Sequence, residues 1–173
     1  MTLLEESIAA LGTAVQHLRL AAASDDKTPL GNGLALSAHL RTLNEDGGQF
    51  VIIYGDINGL KAINTAHKHR GGDVAINRVG CMIAETVRPF PKTAAYRQSG
   101  DEFTLISPRS NLEPLVSALA RMLGQVDVWY QGEHFRVSMS FGWADADPAA
   151  EAHEWQARAE VACMVAKTQA RFA

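Results

Sequence analysis

Arg97-Gln98-Ser99-Gly100-Asp101-Glu102-Phe103 lies between two runs of strand-forming residues. Thr93 to Tyr96 leads in; Phe103-Thr104-Leu105-Ile106-Ser107 leads out and stops at Pro108. A Ser-Gly pair between two such runs predicts a tight hairpin turn. Asp101 and Glu102 then stand at or just after its tip. A carboxylate pair on a turn is ordinarily solvated surface, so the hairpin alone assigns no chemistry. A second acidic strand end, Asp56, changes the reading.

Gln49-Phe50-Val51-Ile52-Ile53-Tyr54-Gly55-Asp56-Ile57 is the strongest strand signal in the chain. Its near-continuous apolar run suits a central strand covered on both faces. Asn58-Gly59 makes a turn after it, and Leu60 starts a helix that runs to about Thr65. His67-Lys68-His69-Arg70-Gly71-Gly72-Asp73 feeds a second helix over about Val74 to Val87, ended by Pro89 and Pro91. Upstream, Leu4, Ile8, Leu11, Val15 and Leu18 form a heptad-like seam on one helix. That helix either packs on its own domain or forms a short dimeric coiled coil; roughly two and a half heptads are marginal alone. Ser24 to Gly33 is a break rich in turn residues, followed by a helix with Leu36, Leu40 and Leu43 inward.

Downstream of the hairpin, a helix with Leu112, Leu115, Leu119 and Met122 on one face precedes strands Val126 to Tyr130 and Phe135 to Trp143. A last helix runs from about Glu151 to Arg171. The core order β-α-α-β-β-α-β predicts an α+β sandwich: a ferredoxin-like fold with a mostly antiparallel five-stranded sheet and helices packed around it. Residues 1–24 are expected to be a separate signalling or dimerisation helix and residues 25–173 one domain.

The chain has 173 residues and a formal net charge of −3, which gives no electrostatic basis for binding a nucleic-acid polymer. Cys81 and Cys163 sit among apolar neighbours and read as core residues in a reducing compartment. With no run of 18 apolar residues, and with Glu5 and Glu6 where a leader would be basic, neither a membrane span nor a signal peptide is expected. A cytoplasmic domain, free or as the cytoplasmic part of a larger protein, is the expectation.

The chemistry follows from hard oxygen donors. Mg²⁺ takes one or two carboxylates plus nucleotide phosphates. If the Asp56 strand neighbours the hairpin, Asp56 and Asp101 come together, the carbonyl of Ile57 is available, and Glu102 either adds an oxygen or faces away. The Asn58-Gly59-Leu60 turn offers backbone N–H groups to a phosphate, and Lys61 supplies a point charge or is an ordinary solvated lysine. Lys167 and Arg171 share a helix face and either clamp phosphates or are solvated. Asn64 and Asp73 have the donor and acceptor groups to read a guanine edge, or are helix-surface polar residues. His67 and His69 read as solvated. No zinc, P-loop or serine-hydrolase motif is present.

Over residues 25 to 171 the sequence resembles a GGDEF domain, the diguanylate cyclase family. The signature appears as Ser99-Gly100-Asp101-Glu102-Phe103, with Arg97 two residues before it. Asp56-Ile57-Asn58-Gly59-Leu60-Lys61-Ala62-Ile63-Asn64, His69, Gly72-Asp73, Ala166-Lys167 and Arg171 fit further blocks of the family in order, and Asp25, Thr28, Leu30 and Asn32 match a weaker linker motif. The resemblance implies condensation of two GTP into cyclic di-GMP and two pyrophosphates, across two domains that face each other. It implies two Mg²⁺ ions, with Mn²⁺ as a substitute, on Asp56, Ile57 and Asp101, with Glu102 assisting. It implies guanine on Asn64 and Asp73, and phosphates on Leu60, Lys61, Lys167 and Arg171. A homodimer would be the active form, with an upstream sensor or receiver domain as a possible regulator.

The chain departs from the family at several positions. Ser99 replaces a glycine, where a Cβ would crowd the nucleotide or forbid a positive φ. Lys68 stands where the family has glycine. Asn58 and Leu60 replace an acidic and an aromatic residue, and Lys27 departs from the linker motif. The family's inhibitory product site needs an arginine and an aspartate at positions held here by Phe90 and Thr93, so no product inhibition through that site is expected. An active cyclase is the leading reading. A weak or inactive module that binds GTP or cyclic di-GMP as a regulator is the alternative, and a purely structural module stands behind both.

Overall fold

The computed structural model describes residues 22–46, 49–147 and 149–169, together with Glu5, Ile8, Leu11, Gly12 and Val15. In chain order the elements are β1 (Gly31–Asn32), α1 (Gly33–Asp46), β2 (Phe50–Ile57), α2 (Leu60–Val87), β3 (Ala94–Ser99), β4 (Glu102–Pro108), a short 3₁₀ turn (Arg109–Asn111), α3 (Leu112–Leu123), β5 (Val126–Tyr130), β6 (Glu133–Val137), β7 (Met139–Asp145) and α4 (Ala152–Gln169).

The main sheet has the order β1-β3-β4-β2-β7. All its pairings are antiparallel except that of β1 with β3. Without the short β1, the spatial order β7-β2-β4-β3 is fourth, first, third, second, which is the ferredoxin-like arrangement expected from the element order. Strand β2 is central and buried on both faces, so alternate residues serve two cores. Val51, Ile53 and Ile57 join Phe103 and Leu105 beneath α2 and α3. Ile52, Tyr54, Tyr96 and Ile106 pack with Leu36, Leu40 and Leu43 of α1 and with Trp155, Ala159 and Cys163 of α4. Burying large aliphatic side chains at about 1.5–3 kcal/mol each, on both faces, makes β2 the rigid spine of the domain.

The membership of the sheet differs from the expectation in one respect. Phe135 to Trp143 is not one strand: the ladder is interrupted at Ser138. Residues before it pair with β5 in a separate two-stranded sheet, and residues after it pair with β2. The fifth strand of the main sheet is instead the two-residue β1. The helices predicted on either side of His67 form the single element α2, broken internally at Lys68 (φ 59°, ψ 176°).

That backbone conformation is nearly exclusive to glycine and costs a residue with a Cβ about 1–3 kcal/mol. Lys68→Gly removes this cost and adds back the larger unfolded-state entropy of glycine, about 0.5–1 kcal/mol. The substitution is expected to raise the thermal midpoint by about 2–4 °C, equivalent to a net gain of about 1 kcal/mol. A midpoint that falls in a calorimetric scan would show that Lys68 is not strained.

Around this break α2 packs against the β5–β6 hairpin. His67 stacks on Phe135 with ring centroids 4.3 Å apart and pairs with Glu133 at 2.8 Å. His67 is therefore a packing residue and not the solvated histidine expected. Of the N-terminal seam, Ile8, Leu11 and Val15 are helical and exposed, while Leu4 and Leu18 lie outside the described residues. Among the described residues no helix is long and apolar enough to cross a membrane.

Candidate functional site

Strands β2 and β4 place Asp56 directly across from Glu102. Asp101 lies one residue earlier, in the turn, and its carbonyl accepts the N–H of Ile57 at 3.2 Å. The neighbouring ends of β2 and β4 thus place Asp56, Ile57, Asp101 and Glu102 at one end of the sheet. Asp56 shares a sheet face with Tyr54, and α4 crosses that face, so Lys167 reaches Asp56 and forms an ion pair with Oδ1. Burial pushes the Asp56 carboxyl above the ordinary carboxylate range; Lys167 opposes this, and the Asp101 and Glu102 charges add to it.

An excess of negative charge at the ends of two strands, only partly neutralised by one lysine, fits a divalent cation. Among the described residues no three His, Cys, Asp or Glu side chains converge to hold an ion by themselves. Mg²⁺ ordinarily takes one or two carboxylates and completes its octahedron with water and phosphate.

Ser99 resolves differently from the expectation. The residue with positive φ in the turn is Gly100 (φ 47°), and Ser99 is not among the left-handed residues. The Ser99 hydroxyl faces Glu102 and donates to its Oε2 at 2.9 Å. The Ser99 hydroxyl thus holds the Glu102 carboxylate. Tyr54, buried in β2, lies near Glu102, and its phenol is pushed up by burial and by that neighbouring carboxylate. The role of Tyr54 was legible only as period two in β2, which puts it on the face of Asp56.

Beside the carboxylates, Leu60, Lys61, Asn64, Thr65, His69 and Asp101 line an open cavity of about 400 Å³. Helix α2 begins at its floor. The N–H groups of Ala62 and Ile63 bond to the Gly59 carbonyl, which leaves those of Leu60 and Lys61 without a helical acceptor. Asn58 has a structural role instead: its Nδ2 donates to Ser138 Oγ, and Ser140 Oγ donates to its Oδ1, each at 3.0 Å. These bonds pin the end of β2 to the start of β7.

Asn64 lies against the backbone of Gly72. A Cβ built on Gly72 would stand 2.0 Å from Asn64 Oδ1, so glycine there is what lets α2 bring Asn64 to the residue preceding Asp73. Asp73 is not an N-cap of a new helix, since α2 is continuous there; its Oδ1 accepts from Lys27 Nζ at 2.6 Å. The linker-motif pattern at Lys27 gives no sign of this contact. The predicted Arg171 lies outside the described residues.

A family model described as "Diguanylate cyclase, GGDEF domain" matches residues 22–172. The chain is 26% identical over 166 residues to the "Probable diguanylate cyclase DgcE" of Escherichia coli, covering 91% of this chain and 15% of that protein. It is 26% identical over 160 residues to the diguanylate cyclase DgcS of Shewanella oneidensis, covering 90% of this chain and 53% of the relative. The chain thus spans about half or less of the length of these relatives. Among solved structures, the fold matches the diguanylate cyclase SiaD of Pseudomonas aeruginosa, crystallised with its activator SiaC. The TM-score is 0.80 at 23% identity, over 95% of this chain and 68% of that one. It also matches the coiled coil and GGDEF domain of DgcB from Caulobacter crescentus, in complex with c-di-GMP. There the TM-score is 0.79 at 24% identity, over 96% of this chain and 93% of that one. With the signature hairpin, the strand-end carboxylates and a family match over most of its length, the chain belongs to the diguanylate cyclase GGDEF domain family.

Proposed function

We propose that this domain is one half of a diguanylate cyclase, binding one GTP and condensing it with the GTP of a second copy into cyclic di-GMP with release of two pyrophosphates. The observation that carries the reading is the set of carboxylates at the ends of β2 and β4, beside a cavity lined by Leu60, Lys61, Asn64 and Asp101.

Asp56, Asp101 and the carbonyl of Ile57 are the donors for Mg²⁺ or Mn²⁺, with Glu102 held beside them by Ser99. When bound, the metal supplies Lewis acidity, lowering the pKa of the attacking 3'-hydroxyl and stabilising charge on the α-phosphate. The N–H groups of Leu60 and Lys61, with the Lys61 ammonium, receive phosphate oxygens at the start of α2. Lys167, which neutralises Asp56 in this structure, is a second cation for the same oxygens; Arg171 is assigned the same role from the sequence. Asn64 and Asp73 orient guanine.

Each half-site holds one nucleotide, so catalysis requires two domains to meet. The exposed Ile8, Leu11 and Val15 seam of residues 1–24 is the segment suited to set that encounter as a coiled coil, under an upstream sensor or receiver domain. The setting is cytoplasmic. Phe90 and Thr93 in place of the inhibitory pair leave synthesis without product inhibition through that site.

The test is product analysis by liquid chromatography and mass spectrometry after incubation with GTP and Mg²⁺, over a series of protein concentrations. The expected result is cyclic di-GMP that rises more steeply than linearly with protein. Nucleotide binding without product at any concentration would make the domain a regulatory receptor instead, and absence of both would leave a structural module.

A further inference from the structure

Lys27 Nζ meets Asp73 Oδ1 across 46 residues of sequence. The lysine is delivered from a fixed base. Its N–H donates to Asp25 Oδ1 at 3.1 Å, and its carbonyl accepts from Asn77 Nδ2 of α2 at 2.6 Å. The two side chains are 37% and 46% exposed, and a pair so exposed adds at most about 1 kcal/mol to stability. Folding energy therefore gives little reason for a lysine at this point.

Recognition chemistry gives a better one. An ammonium beside a carboxylate presents a donor next to two acceptor oxygens. The Watson–Crick edge of guanine presents the complement: O6 as acceptor, then N1–H and the exocyclic N2 amine as donors. Adenine offers a donor at N6 and an acceptor at N1, which opposes the pattern at both positions. Lysine carries three N–H donors, so it can keep Asp73 and still donate to a base.

We propose that Lys27 is a base-reading residue of this site, donating to guanine O6 while Asp73 accepts from N1–H and the N2 amine. The proposal rests on the reading of Asp73 as a guanine-binding residue, and the experiment separates the two. GDP has no pyrophosphate to release, so it binds without turnover. 6-Thio-GDP exchanges O6 for sulfur, a poorer acceptor, and keeps both donors.

Both nucleotides are titrated calorimetrically, with Mg²⁺, into the full chain, its Lys27→Met variant and its Asp73→Ala variant. Lys27→Met is expected to weaken GDP binding about five- to tenfold, the range for an exposed charge-assisted hydrogen bond. Wild type is expected to prefer GDP over 6-thio-GDP severalfold, and Lys27→Met to bind the two alike. GDP binding by Lys27→Met as tight as wild type, or tighter, overturns the proposal and makes the lysine a surface pair or a plug. Weaker binding with the preference for O6 intact also overturns it, because Lys27 would then only position Asp73. Full GDP affinity in Asp73→Ala would instead sink the guanine-site reading itself.

Discussion

Alanine at Asp56 or at Asp101 is expected to reduce cyclic di-GMP synthesis by at least about 10³-fold, the scale of removing a principal electrostatic element of a phosphoryl-transfer site. In the folded state the Asp56 carboxyl is pushed above its ordinary range by burial and by Asp101 and Glu102, against the pull of Lys167. A raised carboxylate pKa means that the folded state favours the protonated form. Its contribution to stability is fully present below the unfolded value of 3.8 and is lost as pH rises through the folded value. At neutral pH the ionised Asp56 is therefore a cost that the fold carries. Asp56→Asn, which keeps the shape and an acceptor for Lys167, is expected to be inactive with a thermal midpoint equal to or above wild type. Activity lost at unchanged or higher stability is the signature of a functional charge held against the preference of the fold. Synthesis that survives in Asp56→Asn, or activity lost only in parallel with unfolding, would remove Asp56 from the proposed site.

The parts of this site that were legible in the sequence are those set by local pattern. Strand β2 announces itself because a strand covered on both faces needs a continuous apolar run, and Asp56 is conspicuous as the charge that ends it. The hairpin is legible from Ser99-Gly100 because only the turn needs a left-handed residue. The left-handed residue is the second of the pair: Gly100 carries the positive φ, and Ser99 bonds to Glu102. The alternation through Phe135, Val137, Met139 and Phe141 read as one strand because alternation reports which face is buried, not which sheet is joined. The break at Ser138 leaves the pattern unaltered while β6 and β7 pair in different sheets. His67 on Phe135 and Lys27 on Asp73 were illegible for a different reason: each is a pairing across distant segments, which no local pattern encodes.

Asp25→Ala is expected to give the largest loss of stability of any change outside the apolar core. The Asp25 carboxylate accepts from the backbone N–H and hydroxyl of Thr28, each at 2.8 Å, from Lys27 N–H at 3.1 Å and from Arg97 Nη1 at 2.8 Å. Its side chain is 8% exposed and that of Arg97 7%. Burial alone would push the Asp25 carboxyl up, but the Thr28 hydroxyl, Arg97 and the Lys27 N–H outweigh it and hold the carboxyl below 3.8. Removing it strands a buried guanidinium, because Asp26 is 3.8 Å from Arg97 on an exposed side chain and is a poor substitute. The cost of one orphaned partner in such a pair is about 3–5 kcal/mol, or a fall of roughly 10 °C in thermal midpoint for a chain of this size. Replacing both partners with apolar residues, Asp25→Leu with Arg97→Met, should cost less than Asp25→Ala alone, because no charge is left unpaired. The pH dependence has a definite sign. A lowered carboxylate pKa adds stability above the unfolded value, and that stability is lost as pH falls through the folded one. The wild-type and Asp25→Ala stabilities should therefore converge on acidification below about pH 4. Arg97 Nε also donates to the Gly100 carbonyl at 3.0 Å, so the same pair ties the segment after the N-terminal helix to the turn that carries Asp101. Loss of Asp25 is expected to reduce cyclic di-GMP synthesis well below the melting temperature, by loosening that turn. A variant that melts within about 1 °C of wild type would show that Arg97 finds its counter-charge elsewhere. Stability lost with full synthesis retained would show that the pair holds the fold without governing the hairpin.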